Sequence, residues 1–232
     1  MDNGFVHICK TGGTTVNSTA LGDAQTVRLD HTTAAEARKN VQYTEGVPIG
    51  ERDAITEHFF LYTIMRNPFE KLVSCYYSTD NRMGERDISL RLRGPNLVDG
   101  SGFKLYVQCI TGNHDEYNNK SGGPPEPHRH WMPQSWWIKD KEGRVIVDYI
   151  GHTETLMKSI NEIAEILEVS LSDTGKLTEL QRERASKSQW WKTTHYSQHY
   201  DDECRKWAEE YYAEDLDFLN VKFERATDKT KF

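Results

Sequence analysis

Short apolar runs alternate with amphipathic segments along this chain, a pattern typical of an α/β protein. The run at residues 59–65 is almost entirely apolar, which predicts a central strand buried on both faces. Further strands are predicted at 5–8, 27–30 and 145–150, and helices at 15–20, 34–38, 69–78, 103–111, 154–167 and 201–219. Strands that alternate with helices predict a three-layer α/β domain with a mainly parallel central sheet flanked by helices.

The segments between these elements indicate where insertions lie. Residues 80–102 are polar, arginine-rich and punctuated by glycine, which predicts a surface loop or lid. Residues 113–127 are also too polar to be buried, and the stretch 113–137 is predicted to form a second insertion that contributes to an acceptor site. We expect one domain over residues 1–232.

Composition and charge narrow the class of protein. The 232 residues are 36% hydrophobic and 28% charged, with a net charge of −7, so the chain lacks the basic excess of a general nucleic-acid binder. It shows no signal peptide or membrane-spanning run, and we expect a cytoplasmic protein with no nucleic-acid or membrane partner. The oligomeric state is not indicated. The scattered cysteines have no disulfide spacing and are expected to be reduced thiols: Cys9, Cys75, Cys109 and Cys204.

The first predicted strand leads into a glycine-rich loop, F-V-H-I-C-K-T-G-G-T-T-V. A Walker loop places its lysine after the glycines, whereas Lys10 precedes them here. Backbone N–H groups between a strand and a helix can still bind a tetrahedral anion, so the domain is expected to be P-loop-like. The alternative is a glycine turn with a surface lysine. The candidate anion-binding residues are Lys10, Thr11, Gly12, Gly13, Thr14 and Thr15.

A second candidate anion site follows the central strand. Arg66 lies at its carboxyl end, where α/β folds bind ligands, and Pro68 suits the first position of the helix that follows. Ser74 lies two turns into that helix, so the arginine and the serine could hold a second anion. A surface ion pair and a small helix residue are the structural alternatives.

Together, I-C-K-T-G-G-T-T and T-I-M-R-N-P-F-E-K-L-V-S-C-Y-Y resemble the motifs of sulfotransferases that use 3′-phosphoadenosine-5′-phosphosulfate (PAPS). The chain is most similar to the carbohydrate-type branch, which includes heparan sulfate 2-O-sulfotransferases and bacterial relatives. The resemblance extends from residue 5 to about residue 224. The chain departs from the family pattern at Cys9, where proline is common, at Asn67, where aspartate is frequent, and at His152, where arginine is common.

The resemblance implies PAPS as co-substrate and no metal requirement. The glycine loop would bind the 5′-phosphosulfate, and Arg66 and Ser74 would bind the 3′-phosphate. Lys10 would stabilise the charge that develops as the sulfuryl group leaves. Lys192 and Thr194, in the segment after the tryptophan pair at 190–191, are weaker candidates for phosphate contacts.

A histidine between the two motifs is the candidate general base. His31, in D-H-T-T-A-A-E-A-R, occupies the place where the resembled branch keeps its base. An imidazole titrates near neutrality and therefore suits removal of the proton from an acceptor hydroxyl. The alternative is that His31 merely caps the helix at 34–38, for which Thr33 is the better cap. His7 and His195 are the competing bases.

The stretch H-R-H-W-M-P-Q-S-W-W concentrates rings and cations at residues 128–137. Aromatic faces stack on sugar rings or flat cations, so this stretch is a candidate acceptor site. Burial of the tryptophans in the core is an equal alternative. His128 and His130 with Cys109 or His114 lack the spacing of a standard zinc site, and no metal site is predicted. The candidate acceptor residues are His130, Trp131, Trp136 and Trp137.

The sequence therefore predicts a sulfotransferase that moves a sulfuryl group from PAPS to a hydroxyl or amine of a glycan or small-molecule acceptor by in-line displacement. One alternative is a P-loop kinase or nucleotide hydrolase, which would require magnesium; the position of Lys10 opposes it. Another is a non-catalytic module that binds an anionic glycan or nucleotide.

Overall fold

A computed structural model describes residues 1–25, 29, 33–38, 59–77, 101–112, 130–171 and 195–226. The chain divides into two compact units. The first comprises Met1–Arg66 and Gln134–Lys187, and the second comprises Asn67–Pro133 and Ser188–Phe232. The single domain expected over residues 1–232 stays a prediction.

The first unit is built on a parallel sheet. Its strands in the described residues are β1 (Asn3–Val6), β2 (Phe60–Met65) and β3 (Tyr149–His152), hydrogen-bonded in that order. All but the first residue of β2 are buried, as its continuous apolar sequence predicts for a central strand. Helices flank the sheet, and the predicted α/β class with a parallel sheet is confirmed.

Two strands are displaced from their predicted positions by local hydrogen bonds. β1 ends at Val6 because the N–H of Ile8 turns back to donate to the Val6 carbonyl at 3.1 Å. β3 begins only at Tyr149, whereas Val145 forms an isolated antiparallel bridge with Lys139. Apolar residues alone could not locate these ends, since both depend on backbone pairing.

The helices of the described first unit are short around the glycine loop and longer elsewhere. They are α1 (Gly13–Asn17), α2 (Ala20–Asp23), α3 (34–38), α6 (Ser135–Ile138) and α7 (Leu156–Ile166). The predicted helix at 15–20 is interrupted because Thr19 caps α2 with its side chain, which accepts from the N–H of Leu21. Thr33 is the cap of α3, as preferred from the sequence, and exchanges hydrogen bonds with Glu36 in a capping box.

One buried cluster joins the sheet of the first unit to its helices. Burial of these apolar side chains supplies the main driving force for this packing. The cluster comprises Phe5, Val16, Leu21, Tyr62, Ile64, Ile160, Ile163 and Ala164.

The second unit is helical in its described parts. It contains α4 (Pro68–Tyr77), α5 (Ser101–Ile110), α8 (Asp202–Tyr211), α9 (Ala213–Phe218) and a 3₁₀ turn at Tyr196–His199. The single helix predicted at 201–219 is broken at Tyr212, whose buried hydroxyl donates to the carbonyl of Trp131. Its core is rich in aromatic rings, including Phe69, Tyr76, Phe103, Tyr106, Trp131, Tyr196, Tyr200 and Tyr212.

A buried lysine organises the start of the predicted acceptor stretch in the second unit. The Lys71 ammonium donates to the carbonyls of His130 at 2.9 Å and Met132 at 3.2 Å. The side chain is 1% exposed, and its charge is solvated by these carbonyls instead of by water. Lys71 therefore orders residues 130–132.

Several predictions fall where the structure gives no description. The predicted strand at 27–30 is described only at Leu29, and the insertion at 80–102 only at its last two residues, which begin α5. The insertion at 113–137 is described only from residue 130 onward. The predicted strand and the two insertions therefore stay predictions in those parts of the chain.

Candidate active site

The carboxyl ends of the three strands lie at one edge of the sheet in the first unit. The strands are parallel and in register, with Val6 paired to Thr63 and Met65 paired to His152. The glycine loop follows β1, and Arg66 follows β2. Parallel pairing therefore brings these predicted anion-binding groups to the same edge, where open α/β sheets bind ligands.

The glycine loop contains two residues with left-handed backbone conformations. Lys10 has φ +67° and Gly12 has φ +91°. Gly12 is also the residue before α1, and its carbonyl accepts from the N–H groups of Thr15 and Val16. A non-glycine residue at a positive φ is uncommon and costs on the order of 1–3 kcal/mol, so the surrounding contacts must hold Lys10 in place.

Donors from the chain hold the carbonyls of this loop. The hydroxyl of Thr11 donates to the carbonyl of Ile8. The hydroxyl of Thr153 donates to the carbonyl of Thr11 at 2.9 Å. The guanidinium of Arg66 donates to the carbonyl of Lys10 at 3.4 Å. In contrast, the N–H groups of residues 12–14 have no acceptor in the part of the chain that the structure describes. Occupied carbonyls and available N–H groups make this loop suitable for an anion.

Gly13 is required by the close approach of His7. A Cβ at Gly13 would lie 2.0 Å from Cδ2 of the His7 ring. This ring in turn stacks on Phe5, with centroids 5.6 Å apart. The first position of α1 is therefore covered by an imidazole that only glycine can accommodate without a rearrangement.

Arg66 is fixed at the edge of the sheet by a buried glutamine. The side-chain amide of Gln134 accepts from the Arg66 N–H at 2.9 Å and donates to the Arg66 carbonyl at 2.8 Å. Gln134 is fully buried. These two hydrogen bonds satisfy the backbone polar groups of Arg66, which lies just beyond the last paired residue of β2. The guanidinium of Arg66 donates to the Lys10 carbonyl in the glycine loop.

The remaining predicted nucleotide contacts are not assembled by the described residues. Ser74 is partly buried on α4 of the second unit. His31, Lys192 and Thr194 lie outside the described residues. Their assignments stay predictions.

The predicted acceptor residues divide between the core and the surface. Trp131 belongs to the core of the second unit, and Trp137 is fully buried in the first, so both have the core role that the sequence left open. Trp136 is 47% exposed on the short helix α6. His130 is partly buried and its carbonyl is held by Lys71.

Gln134, Thr153 and Thr63 were not identified from the sequence as site residues. The hydroxyl of Thr63 donates to the carbonyl of Val6, so it ties β2 to the end of β1. Thr63 lies in the motif around Arg66 and Gln134 in the tryptophan-rich stretch 128–137, but nothing in either stretch marks these two as site residues. Only the position of Thr153 at the end of a predicted parallel strand could have suggested its place at the sheet edge.

His195, a competing base, is held by its own turn in the second unit. Its Nδ1 accepts from the N–H of Ser197 at 3.3 Å and lies 2.9 Å from the Ser197 hydroxyl. Nδ1 of His195 is therefore engaged as an acceptor within its own turn.

All four cysteines are buried free thiols, and burial raises the pKa of the Cys109 thiol to about 11. No group of three or more potential metal ligands occurs within the described residues. Among the helices described, none is long and apolar enough to cross a membrane.

The chain matches a known protein family. The model of the sulfotransferase family matches residues 5–222. The match includes the glycine loop, Arg66 and the C-terminal helices. No significant match was found among curated proteins or among solved structures.

Proposed function

The chain belongs to the sulfotransferase family, and we propose that it transfers a sulfuryl group from PAPS to a hydroxyl or amine of a glycan or small-molecule acceptor. One observation carries this proposal. The guanidinium of Arg66 meets the loop of Lys10, whose N–H groups at residues 12–14 have no acceptor among the described residues. A nucleotide with separate 5′ and 3′ anionic groups suits such a combination of backbone donors and a forked cation.

The glycine loop is proposed to bind the 5′ side of the donor. The N–H groups of Gly12, Gly13 and Thr14 would donate to the 5′-phosphate, with help from the hydroxyls of Thr14 and Thr15. Lys10 would neutralise charge on the oxygen that joins sulfur to phosphorus. The left-handed backbone at Lys10 and Gly12 fits this role, since it lets successive N–H groups converge on one anion.

The transfer itself is an in-line displacement. The acceptor oxygen or nitrogen forms a bond to sulfur while the bond from sulfur to the bridging oxygen breaks, and 3′-phosphoadenosine-5′-phosphate leaves. Lys10 stabilises the charge that builds on the bridging oxygen. Positioning and charge stabilisation dominate such displacements, and Lys10 with the loop N–H groups can supply the positive charge without a divalent metal.

His31 is proposed to take the proton from the attacking group. Its two competitors have other tasks in the structure, because the ring of His7 packs on Gly13 and Nδ1 of His195 accepts from Ser197. The capping box of Thr33 and Glu36 fixes the helix that starts just after His31. This assignment draws its main support from the family resemblance.

Arg66 is proposed to bind the 3′-phosphate, the group that distinguishes PAPS from other adenylated sulfates. Gln134 holds both backbone polar groups of Arg66, so the side chain starts from a fixed point. Ser74, Lys192 and Thr194 are proposed as further nucleotide contacts on the resemblance alone. Trp136 is proposed to stack on the acceptor, since it alone of the described tryptophan pair presents an exposed ring.

The direct test is release of 3′-phosphoadenosine-5′-phosphate from PAPS, without magnesium, across a panel of glycan and small-molecule acceptors. Arg66→Ala is expected to lower affinity for adenosine 3′,5′-bisphosphate by about tenfold or more, and affinity for adenosine 5′-phosphate by less, because the guanidinium also donates to the Lys10 carbonyl of the loop. Arg144→Ala is the matched control, because Arg144 is an exposed arginine of the same unit whose ion pairs within the described residues are with Asp140 and Glu142.

Each alternative function predicts a different result. Magnesium-dependent turnover of ATP or GTP without use of PAPS would indicate a kinase or hydrolase. Nucleotide binding with no transfer to any acceptor would indicate a non-catalytic module. Equal affinity for the mono- and bisphosphate would exclude a 3′-phosphate site at Arg66.

A further inference from the structure

We propose that Thr153 is a positioning residue that orients the anion-binding loop, an inference that rests on the proposed function. Thr153 follows β3 directly, and its single hydroxyl proton is shared between two carbonyls. It lies 2.9 Å from the carbonyl of Thr11 and 3.2 Å from that of Met65. One side chain thus connects the loop after β1 with the end of β2, across the edge where the three strands finish.

The geometry of the peptide bond explains how this contact orients a backbone N–H group. A trans peptide is planar, and its C=O and N–H point in opposite directions. When Thr153 holds the Thr11 carbonyl, the N–H of Gly12 in the same peptide must point away from Thr153. Gly12 is one of the residues whose N–H has no acceptor within the described ranges. Thr153 therefore directs a ligand-binding donor without itself contacting the ligand.

This peptide has particular need of a constraint. Gly12 has no Cβ and has φ +91°, so the backbone around it can rotate more freely than at any other residue type. A rotated peptide would present the Thr11 carbonyl oxygen to the anion in place of the N–H. The partial negative charge would then oppose binding. The hydroxyl of Thr153 disfavours that rotation.

The lengths of the two hydrogen bonds of Thr153 predict which phosphate of the nucleotide depends on this residue for binding. The shorter bond is to the loop, which is proposed to bind the 5′-phosphate. The longer bond is to Met65, and Arg66 beyond it is held separately by Gln134. Loss of the hydroxyl should therefore weaken 5′-phosphate binding and leave 3′-phosphate binding largely intact.

The test compares Thr153→Val, which keeps the shape but removes the hydroxyl, with Thr153→Ser, which retains it. Calorimetry well below the unfolding temperature would measure binding of adenosine 5′-phosphate, adenosine 3′-phosphate and adenosine 3′,5′-bisphosphate. Thr153→Val is expected to lose roughly five- to tenfold affinity for both 5′-phosphorylated ligands, the worth of about one hydrogen bond. Its affinity for adenosine 3′-phosphate should stay within about twofold, and Thr153→Ser should bind all three ligands like the wild type.

The control is Thr155→Val, in the 3₁₀ turn Thr153–Thr155 that follows β3, because Thr155 is exposed and its side chain makes no cap hydrogen bond. Unchanged binding of the 5′ ligands by Thr153→Val would overturn the proposal. An equal loss of affinity for all three nucleotides would also overturn the proposal. The same holds if neither Thr153→Val nor Thr153→Ala folds, because either result would mean that Thr153 has a general structural role. If the wild type binds no adenosine phosphate, the proposed function fails as well, and that result is distinct from the others.

Discussion

The contact between Gly13 and His7 permits a quantitative test of the glycine loop. Gly13→Ala adds one methyl group at the first position of α1. The backbone there does not need a positive φ, so alanine is allowed by conformation and is disfavoured only by what surrounds it. What surrounds it is the imidazole of His7.

The size of the overlap sets the expected cost. The new Cβ would lie 2.0 Å from Cδ2 and 2.1 Å from Nε2 of His7, whereas carbon atoms in contact are about 3.5–4.0 Å apart. The ring must therefore move by roughly 1.5 Å. It is backed by Phe5, which is buried and stacks on Tyr62. Overpacking of this kind costs about 1–3 kcal/mol of unfolding free energy.

A double-mutant cycle separates the overlap from other effects. His7→Ala removes the ring, so Gly13→Ala in that background should be neutral or slightly stabilising, because alanine favours a helix over glycine by up to about 1 kcal/mol. Urea denaturation of the four proteins should give a favourable coupling energy of about 1–3 kcal/mol. Binding of adenosine 3′,5′-bisphosphate to the same proteins shows whether the displaced ring also disturbs the anion site.

Gly12→Ala is the matched control for this cycle. Its cost comes from the backbone at φ +91° and from Leu156, whose Cδ2 would lie 3.1 Å from the new Cβ. Removal of the His7 ring should not relieve that cost. If Gly13→Ala and His7→Ala destabilise additively, or if His7→Ala rescues Gly12→Ala equally well, the packing of His7 on Gly13 is not the reason for glycine at position 13.

Three further predictions concern chemistry and pH. Lys10→Ala should lower kcat by about 10²–10³-fold and lower affinity for the product nucleotide much less, because the main contact of Lys10 forms in the transition state. Steady-state kinetics would measure kcat, and calorimetry would measure product affinity. Turnover within a few-fold of wild type would contradict this role of Lys10. His31→Ala should lower kcat by about 10²–10⁴-fold with nucleotide affinity retained, and His31→Gln should be no better; the same assay showing a loss for His195→Ala instead would move the base there. Burial lowers the pKa of His199, so the unfolded chain binds a proton that the folded chain resists, and stability should decline as the pH falls below about 6.5. Denaturation of wild type and His199→Gln between pH 7 and 5 should show a shallower decline in the variant, and parallel curves would refute a role for this histidine.

Elements with local signals could be predicted from the amino-acid sequence alone. The unbroken apolar run of β2 predicts a buried central strand, and Pro68 predicts the start of the following helix, because each signal depends only on neighbouring residues. The glycine loop, with Lys10 before two glycines, and the motif around Arg66 together also predicted from the sequence the family that the comparison shows.

Contacts between residues far apart in the sequence could be located only in the folded chain. Gln134 reaches Arg66 across 68 residues, and Thr153 reaches Thr11 across 142 residues. Neighbouring tryptophans separate into the buried Trp137 and the exposed Trp136, although their sequence surroundings are nearly the same. Hydrogen bonds of this kind depend on distances of about 3 Å between groups that the chain brings together only on folding. A local pattern contains no information on those distances, so these contacts had to be observed in the folded protein.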